Sequence, residues 1–152
     1  MSIAACPGDL VREEKEALRI SPALQSSVFV IFTSTTGTLK ALEKAAEVVT
    51  PFDARIMIIA VQVVPFPLPL DRPPVPFEFI IRRFRDMATR FPKKTRVSAY
   101  VCRDQIEALK QILPPGSPIV IGIRKTWWPT RDRRLARKLR RAGHEVTLVE
   151  TE

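Results

Sequence analysis

The stretch Ser117-Pro-Ile-Val-Ile-Gly-Ile-Arg-Lys-Thr-Trp-Trp-Pro-Thr130 decides the fold, together with the two segments after it, Arg131 to Ala142 and Gly143-His-Glu-Val-Thr-Leu-Val149. Pro118 to Ile123 is an uninterrupted apolar run, the pattern of a strand covered on both faces. Leu135, Leu139 and Ala142 then recur at helical spacing over Arg131–Ala142. Gly143 stands where a left-handed helix cap belongs. Glu145 to Glu150 returns to strand character. Strand, loop, helix and strand in this order make a parallel unit.

Working outward, the same alternation recurs. Val28 to Phe32 is a short apolar strand, followed by turn and cap chemistry in Thr33-Ser-Thr-Thr-Gly37. Leu39, Leu42, Ala46 and Val49 mark a helix face. Arg55 to Val64 is the second strand. Six prolines between Pro65 and Pro76 make a stiff loop. Phe77, Ile80, Ile81, Phe84, Met87, Ala88 and Phe91 define an amphipathic helix. Val97 to Cys102 is the third strand. Asp104 with Glu107 three residues on opens a helix Gln105–Leu113. The sum is an α/β fold: an open, mostly parallel five-stranded sheet with helices on both faces, over a single domain 28–152. Residues 1–27 read as an appendage, with a short helix from Leu10 to Ile20 or a loose tail.

Length and composition fit one ordinary globular domain, with 152 residues, 45% apolar and 27% charged. No apolar run reaches the roughly 20 residues that span a bilayer as a helix. Two cysteines, Cys6 and Cys102, are too few for a disulfide framework, which predicts a reducing, cytoplasmic setting. No Cys/His spacing suits a metal, and no Gly-x-Ser-x-Gly elbow is present. Neither a catalytic residue nor a metal ligand emerges, and a non-enzymatic role is expected. His144 reads as a turn residue and Cys102 as a small buried hydrophobe.

The net charge of +9 is concentrated. Residues 124–141 hold nine Lys/Arg against a single Asp, which makes a local field. At about 100° per residue, Arg133, Arg134, Arg137, Arg140 and Arg141 lie opposite the apolar face of the last helix. Such a stripe suits nucleic acid, another polyanion or an acidic protein; the plain alternative is a solvated face whose cations complement the helix dipole. Trp127 and Trp128, beside Arg124 and Lys125, suit stacking on a base. The bulk of tryptophan favours a plainer expectation: one ring plugs the sheet edge and the other packs on Pro129 or a partner subunit.

The ordered set of Val28 to Ala46, Ile58 to Pro65, Val101 to Leu113 and Pro118 to Gly122 resembles the universal stress protein family. The resemblance implies a nucleotide-binding α/β fold, a stress-response role and pairing of the last strand between two subunits. It places a crevice at Thr33, Ser34, Gly122, Arg124 and Lys125. The family's ATP-binding form implies an Asp after the first strand, where this chain has Thr33. Its phosphate loop implies glycines where this chain has Lys125 and Leu135; Gly122 matches the first. The resemblance is thus to the form that does not bind ATP, and no cofactor is expected. The leading expectation is a non-catalytic homodimer joined through Val146, Leu148 and Val149. Polyanion binding by the basic helix and a small-nucleotide sensor with an altered loop are the alternatives.

Overall fold

The computed structural model describes residues 2–5, 27–49, 54–69 and 95–152, with isolated positions between 82 and 90. The expected helices over Leu10–Ile20 and Phe77–Phe91 fall outside the described residues, wholly or in large part.

Six strands and three helices are laid out along the described chain. They are β1 (Ser2–Ala5), β2 (Ser27–Ile31), α1 (Thr35–Val49), β3 (Arg55–Val63), β4 (Thr95–Cys102), α2 (Gln105–Ile112), β5 (Pro118–Arg124), α3 (Arg131–Arg141) and β6 (Glu145–Thr151). All pair in parallel, in the order β1-β4-β3-β2-β5-β6. The five expected strands are present, each within two residues of its expected limits. β1 is an addition: Ser2–Ala5, read from sequence as part of the appendage, pairs with Ser98–Val101.

Alternation along each buried strand divides the core in two. On one face Phe29, Ile31, Ile119, Ile121 and Ile123 pack with Leu109 of α2 and with Leu135, Ala136 and Leu139 of α3. On the other, Val28, Val30, Ile56, Ile58 and Val120 pack with Ala41, Leu42, Ala45 and Val49 of α1. Period-2 strands and 3.6-period helices meet here as the sequence pattern requires.

Local chemistry sets the helix limits. Asp104 accepts a hydrogen bond from the Glu107 amide at 3.0 Å and caps α2. Thr130 caps α3 through the Arg133 amide at 3.3 Å. Gly143 ends α3 with φ of 94°, the left-handed position that glycine alone takes without strain. α1 begins earlier than Leu39 leads one to expect, because the Ser34 hydroxyl accepts from the Gly37 amide at 3.0 Å. Gly37 therefore lies inside the first turn.

Candidate functional site at the carboxyl rim of the sheet

In an all-parallel sheet every strand ends on the same rim. The chain runs from β2 outward to β3 and β4, then returns past β2 to β5 and β6. The direction changes between β2 and β5, and ligands of open α/β sheets bind outside the carboxyl ends at such a point. Thr33 and Ser34 follow β2, and Gly122, Arg124 and Lys125 lie at the end of β5.

The structure brings Thr33 and Gly122 together. The Thr33 hydroxyl donates to the Gly122 carbonyl at 2.6 Å. Gly122 also lies against the backbone of Gly37: a Cβ added at Gly122 would come within 1.8 Å of the Gly37 carbonyl oxygen. The role of this glycine is therefore close approach of α1 to β5. Ser34 is occupied by the helix cap. The Lys125 amide donates to the Thr151 carbonyl at 2.9 Å and extends the β5–β6 ladder, so Lys125 continues a strand where a glycine loop was the alternative. The side chains of Arg124 and Lys125 are exposed.

Beyond β4, Arg103 organises a second loop. Its guanidinium donates to the carbonyls of Val64 at 3.0 Å and Leu68 at 2.7 Å. It also lies 4.5 Å from the centre of the Phe66 ring, within cation–π range. Phe66 is left exposed. Arg103 directly follows β4, and the sequence gives no sign of this contact, which joins residues far apart in the chain. Cys102 is fully buried, as its small apolar character predicts.

The loop between β5 and α3 corrects the main expectation for the tryptophans. Trp127 is 101% exposed and Trp128 81%; neither plugs the sheet edge. The loop is nonetheless held. The Thr126 hydroxyl accepts from the Trp128 amide at 3.0 Å, and Thr130 caps the helix two residues later. Pro129 fixes φ between them. Arg124, Lys125 and Arg131, which flank the pair in sequence, are exposed as well.

Along α3 the arginine stripe divides. Arg131, Arg134, Arg137, Lys138 and Arg141 are exposed. Arg133 is half-buried and pairs with Glu150 at 2.7 Å. Arg140 donates to the Val146 carbonyl, with Nη2 at 2.9 Å. Two of the five predicted stripe residues are therefore bound to the chain's own last strand. Glu150 is thereby paired within the chain. Asp132 is half-buried, and burial raises its carboxyl pKa.

β6 is an edge strand, as expected. The side chains proposed for the dimer edge point to the sheet faces. Val146 and Leu148 pack on the side of α2 and α3, and Val149 on the side of α1. His144 lies at the opposite rim, where its Nδ1 accepts from the Ser117 amide at 3.2 Å; burial lowers its pKa. Among the described residues, no helix is long and apolar enough to cross a membrane. No group of three His, Cys, Asp or Glu residues among them is placed to hold a metal ion.

No family model matches the sequence, and no curated protein does. Solved structures do. One is a universal stress protein in complex with cAMP, 18% identical with a TM-score of 0.54, over 84% of this chain and 98% of that one. Another is a protein from the universal stress protein family from Burkholderia pseudomallei, 20% identical with a TM-score of 0.46, over 85% and 98%. A macrolide-efflux protein from Streptococcus pneumoniae is 11% identical with a TM-score of 0.50; it matches 99% of this chain over 50% of its own length. Strand order and helix placement agree with the first of these likenesses: the chain has the fold of the universal stress proteins.

Proposed function

We propose that this chain is a cytoplasmic, non-catalytic module of the universal-stress-protein fold that acts by self-association and by binding partners, and that ATP is not among its ligands. The observation that carries the reading is the stitched switch point. Thr33 bonds Gly122 across it, and Gly37 lies on Gly122 from the helix side. A phosphate loop needs mobile glycine backbone at that place; here the glycine is a contact surface and the next family position is Lys125. The polar groups of the rim serve structure: Ser34 and Asp104 cap helices, and Arg103 pins a loop. Isothermal titration with ATP, and separately with cAMP, should give no saturable heat at millimolar nucleotide. A micromolar dissociation constant for either would overturn the ligand half of the reading.

Self-association is assigned to β6. The Glu145 amide and the Thr151 carbonyl face β5, so alternation turns the backbone groups of Val146, Leu148 and Glu150 to the open edge. Arg140 covers the Val146 carbonyl, leaving Leu148 and Glu150 to pair. Two copies related by a two-fold axis would close both edges. Light scattering should give twice the chain mass of 17.2 kDa. Leu148→Pro removes an outward amide that β5 does not use, and an edge strand tolerates it; this variant should remain folded and become monomeric. A monomeric parent chain would overturn the assignment.

A further inference from the structure

We propose that the tryptophan loop and the outer face of α3 bind single-stranded nucleic acid, with Trp127 and Trp128 stacking on bases and the neighbouring cations holding phosphates. The proposal deepens the partner-binding reading above and rests on it; it needs neither the closed switch point nor the β6 dimer.

Two independent observations converge on this surface. The first is aromatic. Trp127 and Trp128 are the only tryptophans in the chain, and both stand in solvent. Leaving two indoles exposed forgoes a large burial free energy. The Thr126 turn, Pro129 and the Thr130 cap hold their backbone in place. Aromatic groups on a fixed loop lose little freedom when they bind. The second is electrostatic. Arg124, Lys125 and Arg131 flank the tryptophans in sequence and are exposed, and exposed Arg134, Arg137, Lys138 and Arg141 continue from them along α3. From Arg131 to Arg141 the helix rises roughly 15 Å, so the cations form a track leading away from the rings. The opposing charge lies mainly at the far end of the track, where Asp104 and Glu107 share a hollow with Lys138 and Arg141. Asp132, the one acid on α3, is half-buried, and Glu150 is already paired with Arg133.

The shape of the surface selects among polyanions. A lipid surface calls for apolar side chains facing outward along the helix. Here Leu135, Ala136 and Leu139 are buried against the sheet, and the outward face of α3 is cationic. A nucleic-acid duplex meets the charge, but its bases are stacked inside and offer no face to the indoles. A single strand supplies both a line of phosphates and unstacked bases, the combination that stacking platforms with cationic tracks recognise.

The test uses the full chain, whose intrinsic tryptophan emission arises from this loop alone. It is titrated at low and at physiological salt with oligo(dT), oligo(U), a blunt mixed-sequence duplex, inorganic polyphosphate and phosphatidylserine vesicles. Saturable quenching by the single strands is expected, with affinity that falls steeply as salt rises. Trp127→Ala with Trp128→Ala should weaken oligo(dT) binding at least tenfold, read by anisotropy of labelled DNA, at about 1–3 kcal/mol per stacked base. Trp127→Tyr with Trp128→Tyr should recover most of the loss. Arg134→Glu with Arg137→Glu should lower the slope of log affinity against log salt by about 1.4, since each single-strand phosphate contact contributes about 0.7. Any of four results overturns the proposal: no quenching by single strands, equal binding of duplex or polyphosphate, preference for vesicles, or an alanine variant that binds like the parent. ATP added to the same cuvette probes the switch-point reading separately, so failure of one leaves the other standing.

Discussion

The ends of β2 and of β5 lie side by side on one rim, yet they have opposite character. At the first, the Thr33 hydroxyl donates to the Gly122 carbonyl, the Gly37 amide donates to Ser34, and the backbones of Gly37 and Gly122 touch. A few residues beyond Gly122, Trp127 and Trp128 stand wholly in solvent among cations. The fold reserves the junction of its two halves for a ligand, but this sequence fills that junction with itself and places its unsatisfied surface one loop further on. Position in a fold therefore does not fix which residues remain available for binding; the contacts they already make do.

Substitutions on the two sides should differ most in stability. The largest effect is expected of Gly122→Ala. The new methyl would overlap the Gly37 backbone, and relief requires α1 to move off the sheet. A loss of about 3 kcal/mol or more is expected, read as a lower urea midpoint at constant m-value. An unchanged midpoint would mean that α1 is not seated as described. Thr33→Val keeps the shape but leaves the Gly122 carbonyl without its donor, at about 1–2 kcal/mol. If Thr33→Val also admits ATP, the hydrogen bond is what keeps the junction closed.

A smaller effect comes from the opposite rim and serves as a control. His144 is buried, its pKa is lowered, and its Nδ1 accepts from Ser117. The unfolded chain takes up the proton near the ordinary value of about 6.5, while the folded chain resists it. Stability is therefore greatest above that value and is lost as pH falls from there through the folded pKa. The melting temperature should drop between neutral pH and pH 5 in the parent and less so in His144→Asn. Asp132 has a pKa raised by burial and acts in the reverse sense in parent and variant alike, so the difference between the two is what is read. The smallest effect is expected of Trp127→Ala with Trp128→Ala, within about 0.5 kcal/mol each. A larger loss in urea would show that the rings are covered, by a second copy or otherwise, and would erase the contrast between the two regions.

Much of the sheet was legible because buried parallel strands are written as contiguous apolar runs, such as Val28–Phe32 and Pro118–Ile123. The helix caps Asp104 and Gly143 were legible, since capping is local chemistry, whereas the Thr130 cap of α3 emerged only from the structure. β1 was not: Ser2 to Ala5 is too short to carry a periodicity, and its partner is the distant Ser98–Val101. The Gly37–Gly122 contact joins positions that only the folded sheet brings together, so Gly122 reads in sequence as half of a phosphate motif. A helical wheel puts Arg133 and Arg140 on the polar side but cannot show that β6 lies within reach. The tryptophans defied an average. Their type is usually covered, and here the short, capped connection into α3 turns both rings outward.

The all-parallel pairing also orders events in time. β2 lies at the centre of the sheet, and its two neighbours are very unequal in distance along the chain. Phe29 pairs with Met57 on one side and with Ile119 on the other. On the ribosome, β2 and β3 can meet early, whereas the flank of β2 that receives β5 must wait for about 90 further residues. At bacterial or eukaryotic synthesis rates that is roughly 5–20 s. Throughout that interval a strand as apolar as Val28–Ile31 presents an open edge. Parallel sheets with such distant partners fold slowly for the same reason. The glycine that seats α1 is delivered with β5, so the junction closes only once the chain has come back past β2, with α3 and β6 still to follow.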